Sequence, residues 1–282
     1  MNRSVPAPFA RMLQTLGLGN TEHAAVELRN VSAPGLEPRT VRLYLPPGEV
    51  RADTPLLLAF DGQTLPHWHL AETISQLALE RAIRAPLVVA VDATRDRIEE
   101  YAMAGQRDYA GRGNLAPAFQ QLMVGRVLPA VRQRFGLVAA PARTGVFGAS
   151  MGGLCAFDLA WRHPEIFGFG GVFSGSLWWR ADNTDPVAQQ ASRLAHLMVR
   201  ATVAKPPLRL WFQAGTKDET NDRDGNGVID AIQDTTELID DLVRNGFERG
   251  RDVRYLEQIN GEHSERTWAE VLPQFLRWAL PR

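Results

Sequence analysis

Residues 146–154 read VFGASMGGL and place a serine, Ser150, between two glycines in the pattern G-x-S-x-G. The apolar residues before Ser150 predict a strand, and those after it have the spacing of an amphipathic helix. So tight a turn strains the serine backbone. Glycines two positions away on each side relieve the clash and let the hydroxyl project above the sheet. The pattern predicts that Ser150 is a nucleophile, and the N–H groups at the start of the helix would favour a developing oxyanion. The alternative is a glycine-rich turn without a catalytic role.

Strand-like and helix-like segments alternate along the rest of the chain. Apolar or alternating runs predict eight strands, at 24–30, 40–45, 56–60, 87–91, 143–147, 170–173, 208–213 and 252–258. Helical spacing occurs at 70–84, 115–135, 151–162, 186–200, 231–245 and 265–279. Two opening strands followed by strand–helix alternation imply an α/β fold, with a mostly parallel eight-stranded sheet and helices on both faces. We expect an N-terminal extension over residues 1–20 and a single catalytic domain over 21–282.

A serine hydroxyl is a weak nucleophile and needs a base. His263, in NGEHSERTW, directly follows the last predicted strand. In α/β-hydrolases the triad occurs in the chain order serine, acid, histidine, so the acid should follow the strand at 208–213. Asp218 is the first carboxylate there and would orient the imidazole and stabilise the imidazolium; Glu219 is the reserve acid.

Two backbone N–H groups are expected to bind the oxyanion. One belongs to the residue after the nucleophile, Met151. The other should lie after the third strand, where the sequence FDGQ places Gln63. The predicted catalytic set therefore comprises Ser150, Asp218 and His263 with the amides of Gln63 and Met151.

Eight short motifs between about residues 40 and 280 carry a family resemblance. They read RLYLPPG, FDGQ, RIEEY, GASMGG, HPEIFG, SGSLWW, AGTKDE and GEHSERTW. Together they resemble the putative-esterase family of α/β-hydrolases, and most of all its enterochelin (ferric-siderophore) esterase-like branch. The resemblance implies an α/β-hydrolase fold, and it implies the same triad and the same oxyanion amides.

Three further residues are candidates for contact with a substrate. Trp178 and Trp179 follow the sixth predicted strand, at the strand end where α/β proteins bind ligands. They could form an apolar wall, and the alternative is that at least one packs in the core. Arg97 could shape the pocket or pair with Glu100 on one helical turn.

The acidic stretch DRDGNGVID, at residues 222–230, resembles the first nine positions of an EF-hand-type calcium loop. The candidate ligands are Asp222, Asp224, Asn226, the Val228 carbonyl and Asp230. Position 12 is Gln233, where a bidentate acid is usual. The alternative is a polar turn that ends with Asp230 as a helix N-cap. We expect a structural Ca²⁺ as a candidate cofactor and no organic cofactor.

The net charge and the apolar runs of the sequence limit the kinds of binding partner that we expect. The net charge is −1, so no overall field steers the chain to nucleic acid or anionic lipid. No apolar run approaches the ~20 residues that span a bilayer, and residues 1–20 lack the apolar segment of a signal peptide. We expect a small-molecule ester as partner, no nucleic-acid or membrane partner and a cytoplasmic location. The oligomeric state is not set by the sequence.

These observations predict a serine esterase that works through an acyl-enzyme on a siderophore, aryl or glycan ester. One alternative is an acyltransferase on the same triad, in which an alcohol replaces water. The other is a non-catalytic, calcium-stabilised binding protein with the same fold.

Overall fold

The eight strands that the alternating pattern predicted form one sheet. The computed structural model describes residues 25–282, so the predicted extension over residues 1–20 and the domain boundary at residue 21 lie outside the described residues. The strands are β1 (Val26–Val31), β2 (Arg39–Tyr44), β3 (Leu56–Phe60), β4 (Leu87–Val91), β5 (Thr144–Ala149), β6 (Phe169–Phe173), β7 (Arg209–Lys217) and β8 (Val253–Glu262). Their spatial order is β1-β2-β4-β3-β5-β6-β7-β8. β2 pairs antiparallel with both of its neighbours, β1 and β4, and the other neighbours pair parallel, which confirms a mostly parallel eight-stranded sheet.

Helices follow most of the parallel strands. They are α1 (Leu70–Leu79), α2 (Arg97–Glu100), α3 (Ala116–Leu122), α4 (Leu128–Phe135), α5 (Met151–Arg162), α6 (Pro186–Ala191), α7 (Leu194–Ala201), α8 (Asp230–Arg244) and α9 (Glu265–Ala279). A 3₁₀ segment, Gly62–Trp68, precedes α1, and a π-helical turn, Met123–Val127, joins α3 to α4. None of these helices within residues 25–282 combines the length and the apolar character needed to cross a bilayer.

Two predicted helices differ from the structure. The helix expected at 115–135 contains the π turn, which lies just before Pro129, a residue without an N–H to donate. The helix expected at 186–200 breaks at Arg193, whose backbone is extended and whose side chain is almost fully buried against Asp234. A buried ion pair across the fold therefore overrides the local helical spacing.

Each face of the sheet carries its own apolar core. On β5, Val146 belongs to one core and the next residue, Phe147, belongs to the other. α1 and α9 cover the Phe147 face, whereas α3, α4, α5, α7 and α8 cover the Val146 face. Because both faces are covered, the central strands are continuous apolar runs rather than alternating ones.

The carboxyl ends of the parallel strands bring polar residues to one edge of the sheet. One such residue directly follows each of the strands β3, β5, β6, β7 and β8. In that order they are Asp61, Ser150, Ser174, Asp218 and His263. Parallel strands present these ends on the same side, where open α/β sheets bind ligands. The fold thus gathers distant sequence positions at one place.

Candidate active site

Ser150 occupies the strained turn between β5 and α5. Its backbone angles are φ 56° and ψ −126°, a conformation that L-residues rarely adopt. A Cβ on Gly148 would lie 2.6 Å from the carbonyl group of Gly152, so the two glycines permit a direct backbone contact. The Ser150 N–H donates to the Phe173 carbonyl at 2.9 Å, and this bond fastens the turn to β6. The structure therefore places Ser150 in the geometry that its sequence motif predicts.

The hydroxyl of Ser150 lies beside a second serine. Ser150 Oγ is 3.4 Å from Ser176 Oγ, and the Ser176 N–H donates to the Ser150 carbonyl at 3.0 Å. α5 begins at Met151, directly after the hydroxyl. The first N–H groups of a helix have no partner within the helix and carry its positive dipole end. An oxygen that becomes negative next to Ser150 would lie in a favourable field.

Asp218 is buried and held by two hydrogen bonds. The Gly215 N–H donates to Oδ2 at 2.8 Å, and the Ser174 hydroxyl donates to Oδ1 at 3.0 Å. Burial raises the pKa of the Asp218 carboxyl, and the bonds from Gly215 and Ser174 and the nearby His263 oppose that shift. Trp268 Nε1 donates to the same Ser174 oxygen at 2.9 Å. The carboxylate therefore has a fixed orientation before any substrate binds.

His263 faces Asp218 with its Nδ1 atom. The distance from Nδ1 to Asp218 Oδ1 is 3.9 Å, which is too long for a hydrogen bond. Catalytic hydrogen bonds are often long in unliganded enzymes and shorten when substrate binds. The imidazole contacts the Trp268 ring edge-on at 5.2 Å, and 40% of its side chain is exposed. Because Nδ1 faces the acid, Nε2 is the nitrogen available to a serine; the triad assignment itself stays a prediction.

The loop after β3, which carries Gln63, lies beside the first turn of α5. A Cβ on Gly152 would be only 2.9 Å from Asp61 Oδ2, so the Asp61 carboxylate touches that turn. The Gln63 side chain is also engaged, since its Oε1 accepts the Ala93 N–H at 3.0 Å. The two elements that carry Gln63 and Met151 are therefore adjacent. That their amides share one oxyanion stays a prediction.

Arg97 pairs with Asp61 and not with Glu100. Arg97 Nε and Nη2 donate to the two Asp61 carboxylate oxygens at 2.7 and 2.8 Å. Glu100 instead forms a fully buried pair with Arg39, so the alternative of a pair within one helical turn is wrong. One third of the Arg97 side chain is exposed. A contact between Arg97 and substrate stays a prediction.

The two tryptophans of SGSLWW have different environments. Trp179 is fully buried, and the Arg112 guanidinium lies 5.2 Å from the centre of its ring. Trp178 is partly exposed and lines a cavity of about 420 Å³. The other lining residues are polar: Arg180, Gln189, Glu219, Asn221, Asp222, Arg223 and Asp230. Core packing removes Trp179 from the predicted apolar wall, whereas Trp178 remains a candidate for substrate contact.

Comparison with known proteins identifies the family. A family model described as putative esterase matches residues 35–279. The chain belongs to the putative esterase family. It has the α/β-hydrolase fold, as the motifs predicted. No curated protein matches the chain.

Solved structures show the same fold at low identity. The enterobactin esterase of Shigella flexneri, solved with 2,3-dihydroxy-N-benzoyl-serine, is 22% identical with a TM-score of 0.70. That alignment covers 92% of this chain and 60% of the Shigella chain, so this chain spans about three fifths of that relative. The siderophore hydrolase EstB of Aspergillus nidulans is 18% identical with a TM-score of 0.66, covering 95% and 99% of the two chains. The BES protein of Bacillus cereus is 14% identical with a TM-score of 0.67, covering 93% and 96%.

The side chains of the acidic loop form hydrogen bonds within the loop, with Gln233 of α8 and with one arginine. Asp222 accepts the N–H groups of Asn226 and Gly227 at 3.1 and 2.9 Å, and Asn226 Oδ1 accepts that of Val228 at 2.7 Å. Asp224 Oδ2 accepts from the Gln233 side chain at 2.8 Å.

Asp230 has a different environment from the rest of the acidic loop. Its Oδ1 accepts the Arg223 N–H at 2.9 Å and lies 3.2 Å from the Arg223 guanidinium. It is the first residue of α8, and Ile229 occupies the N-cap, so the N-cap alternative is off by one residue. Across the described range 25–282, no group of three or more His, Cys, Asp or Glu is arranged to hold a metal ion. The calcium prediction stays a prediction.

A calcium titration tests the loop. If the loop binds Ca²⁺ in the native state alone, millimolar Ca²⁺ should raise the melting temperature of chelator-treated protein. At 100 times Kd the free energy of unfolding increases by about 2.7 kcal/mol. Asp224→Ala should remove this response, and Mg²⁺ at the same concentration is the matched control. An unchanged melting temperature with no heat of binding by calorimetry would show that the loop is only a polar turn.

Four residues of the site were not found by the sequence analysis. Asp61 lies within FDGQ, where only the Gln63 amide was considered. Ser174 and Ser176 lie within SGSLWW, and Trp268 lies within the GEHSERTW motif. All four are inside motifs that carry the family resemblance, so the signal was present. Their roles depend on contacts between strands that are distant in sequence.

Proposed function

We propose that the protein is an esterase that hydrolyses a carboxylic ester through an acyl-enzyme on Ser150, with His263 as the general base and Asp218 as the residue that orients it. The observation that carries this proposal is the Ser150 turn, with φ 56° at the N-terminus of α5. Backbone strain at a single serine that follows a strand at the carboxyl edge of the sheet is characteristic of a functional site rather than of a simple connection. The position of Asp218 and His263 at the same sheet edge supports the same reading.

The reaction follows from the roles of these groups. Ser150 Oγ attacks the ester carbonyl carbon while His263 Nε2 takes the hydroxyl proton. The carbonyl oxygen becomes negative and accepts hydrogen bonds from the Gln63 and Met151 amides. The C–O bond to the alcohol then breaks, and the imidazolium gives its proton to the leaving oxygen. Water, deprotonated by His263, then attacks the acyl carbon. The bond to Ser150 Oγ breaks, the imidazolium returns its proton to that oxygen, and the acid is released.

Asp218 contributes a fixed negative charge to this cycle. The imidazolium that forms on His263 is stabilised if Nδ1 donates to Asp218 Oδ1, which requires an approach of about 1 Å from the present 3.9 Å. Ser174 and Gly215 hold the carboxylate still, so the movement falls on the exposed imidazole.

The cavity beside Trp178 supports an ester with a hydroxyl-bearing aromatic or sugar group. One indole provides a flat apolar surface, and the remaining lining residues supply donors and acceptors of both charge signs. Glu219, directly after Asp218, belongs to this lining, so the cavity lies next to the acid of the proposed triad. The structures named above, an enterobactin esterase and a siderophore hydrolase, are consistent with this class of ester.

Labelling with a fluorophosphonate tests the proposal. The probe phosphonylates an activated serine, so it should label the wild-type esterase at Ser150, as read by peptide mass spectrometry. Ser150→Ala should not be labelled, whereas Ser176→Ala, which removes the neighbouring hydroxyl, should still be. A panel of acetyl, aryl, feruloyl and catecholate-siderophore esters, with an added alcohol acceptor, then identifies the substrate and distinguishes hydrolysis from acyl transfer. Label at another serine, or none on active protein, would contradict the proposed nucleophile.

A further inference from the structure

Asp61 places a negative charge where the proposed mechanism needs a positive field. Its carboxylate touches the first turn of α5 at Gly152, two residues after Ser150. Its own backbone leads directly into Gly62 and Gln63, the loop that carries the second oxyanion amide. An uncompensated carboxylate at this position would repel the oxyanion that forms during acylation, because charges interact strongly where water is largely excluded.

Arg97 cancels that charge with a two-point contact. Its Nε and Nη2 atoms meet Asp61 Oδ1 and Oδ2 at 2.7 and 2.8 Å, the geometry of a bidentate guanidinium–carboxylate pair. A cation–π contact also holds Arg97, because its guanidinium lies 5.3 Å from the centre of the Tyr101 ring. The pair is therefore anchored to the fully buried Tyr101.

The same cluster fixes the backbone of the oxyanion loop. Asp61 has φ 55° and ψ 46°, a left-handed conformation that a non-glycine residue adopts at a cost. The Asp61 N–H donates to the Tyr101 hydroxyl oxygen at 3.3 Å, and the Tyr101 hydroxyl donates to the Val91 carbonyl at 3.3 Å. Side chain and backbone of Asp61 are thus each tied to a residue in or next to α2.

We propose that Arg97 is a positioning residue of the esterase: through Asp61 it holds the Gln63 loop against α5 and neutralises the Asp61 charge beside the oxyanion. This inference rests on the proposed function, since it concerns the oxyanion of that reaction. It differs from a substrate contact because Arg97 acts on the transition state through Asp61. A substrate contact would chiefly affect KM, whereas this role affects kcat.

Removing the charge tests the proposal. Arg97→Met keeps the length of the side chain and leaves Asp61 unpaired, so kcat should fall about 100-fold, as for the loss of an oxyanion donor. KM should change less than about threefold. The second-order rate of fluorophosphonate labelling should fall by a similar factor, although that probe carries none of the substrate's recognition groups.

A second substitution separates charge from packing. Asp61→Asn combined with Arg97→Met removes both charges, so kcat should recover at least tenfold relative to Arg97→Met alone. Arg97→Lys keeps the positive charge but not the two-point contact, so its kcat should stay within about tenfold of the wild-type value. This variant also tests the role of the charge if Arg97→Met does not fold. Arg95→Met is the matched control, because Arg95 is exposed and pairs with Glu37 on the same surface. Its kinetics should match those of the wild type.

Three results would overturn the inference. The first is an Arg97→Met enzyme whose kcat lies within threefold of the wild-type value. The second is an Arg97→Met enzyme whose defect is confined to KM and whose rate of labelling is normal. The third is a double variant whose kcat is no higher than that of Arg97→Met. Failure of the proposed function looks different. In that case the wild-type protein itself is not labelled at Ser150, whatever residue occupies position 97.

Discussion

Ser150→Ala is expected to lower kcat by roughly 10⁴-fold or more, because the nucleophile is lost and only the oxyanion amides and substrate binding remain to accelerate hydrolysis. The fold should be retained, since an alanine Cβ occupies the same position as the serine Cβ. Steady-state kinetics on the best ester of the panel, with circular dichroism of the variant, measure both quantities. A folded Ser150→Ala protein that keeps most of its activity would rule out Ser150 as the nucleophile.

The strain at Ser150 provides a control on the same position. Glycine adopts φ 56° without the steric cost that a Cβ imposes. Ser150→Gly should therefore be as inactive as Ser150→Ala but more stable towards denaturant, by about 1–3 kcal/mol. If the two variants unfold at the same urea concentration, the turn stores no strain and its geometry has another cause.

Asp218→Asn is expected to lower kcat by about 10³–10⁴-fold, because a neutral amide neither stabilises the imidazolium nor holds the imidazole in the required tautomer. Gly215 and Ser174 both donate to the carboxylate, so one of them would face the amide NH₂ group. Kinetics of Asp218→Asn and Glu219→Gln, measured side by side, test the assignment. Glu219 lines the cavity, so its variant should lose less than tenfold and mainly in KM. A larger loss of kcat in Glu219→Gln would identify Glu219 as the acid.

The pKa of Asp218 determines how the activity of the wild type depends on pH. Burial raises the pKa of its carboxyl in the folded state. Ionised Asp218 therefore costs free energy of folding, and this cost appears as the pH rises from the unfolded pKa to the folded pKa. Activity needs the ionised form, so wild-type kcat should fall as the pH drops through the raised pKa. Asp218→Asn lacks this ionisation, and its residual activity should not show the Asp218 limb.

Local sequence patterns predicted the strands and most helices because both faces of the sheet are covered. β3 and β4 read as unbroken apolar runs, and β5 ends in Gly148 and Ala149 at the turn. One of the two differences between prediction and structure has a long-range cause. The helix expected at 186–200 breaks because Arg193 is drawn into a buried pair with Asp234, which is about 40 residues away. Helical periodicity contains no information about such a partner.

The sequence by itself determined the family, the fold and the order of the candidate residues Ser150, Asp218 and His263, because short motifs at strand ends encode local turns. The tertiary structure decided which groups touch one another. It paired Arg97 with Asp61, placed Trp179 in the core and Trp178 beside the cavity, and bonded Ser174 to both Asp218 and Trp268. The physical reason is that these contacts join strands and helices separated by tens of residues. Their energies depend on burial and distance, which arise only when the sheet is assembled.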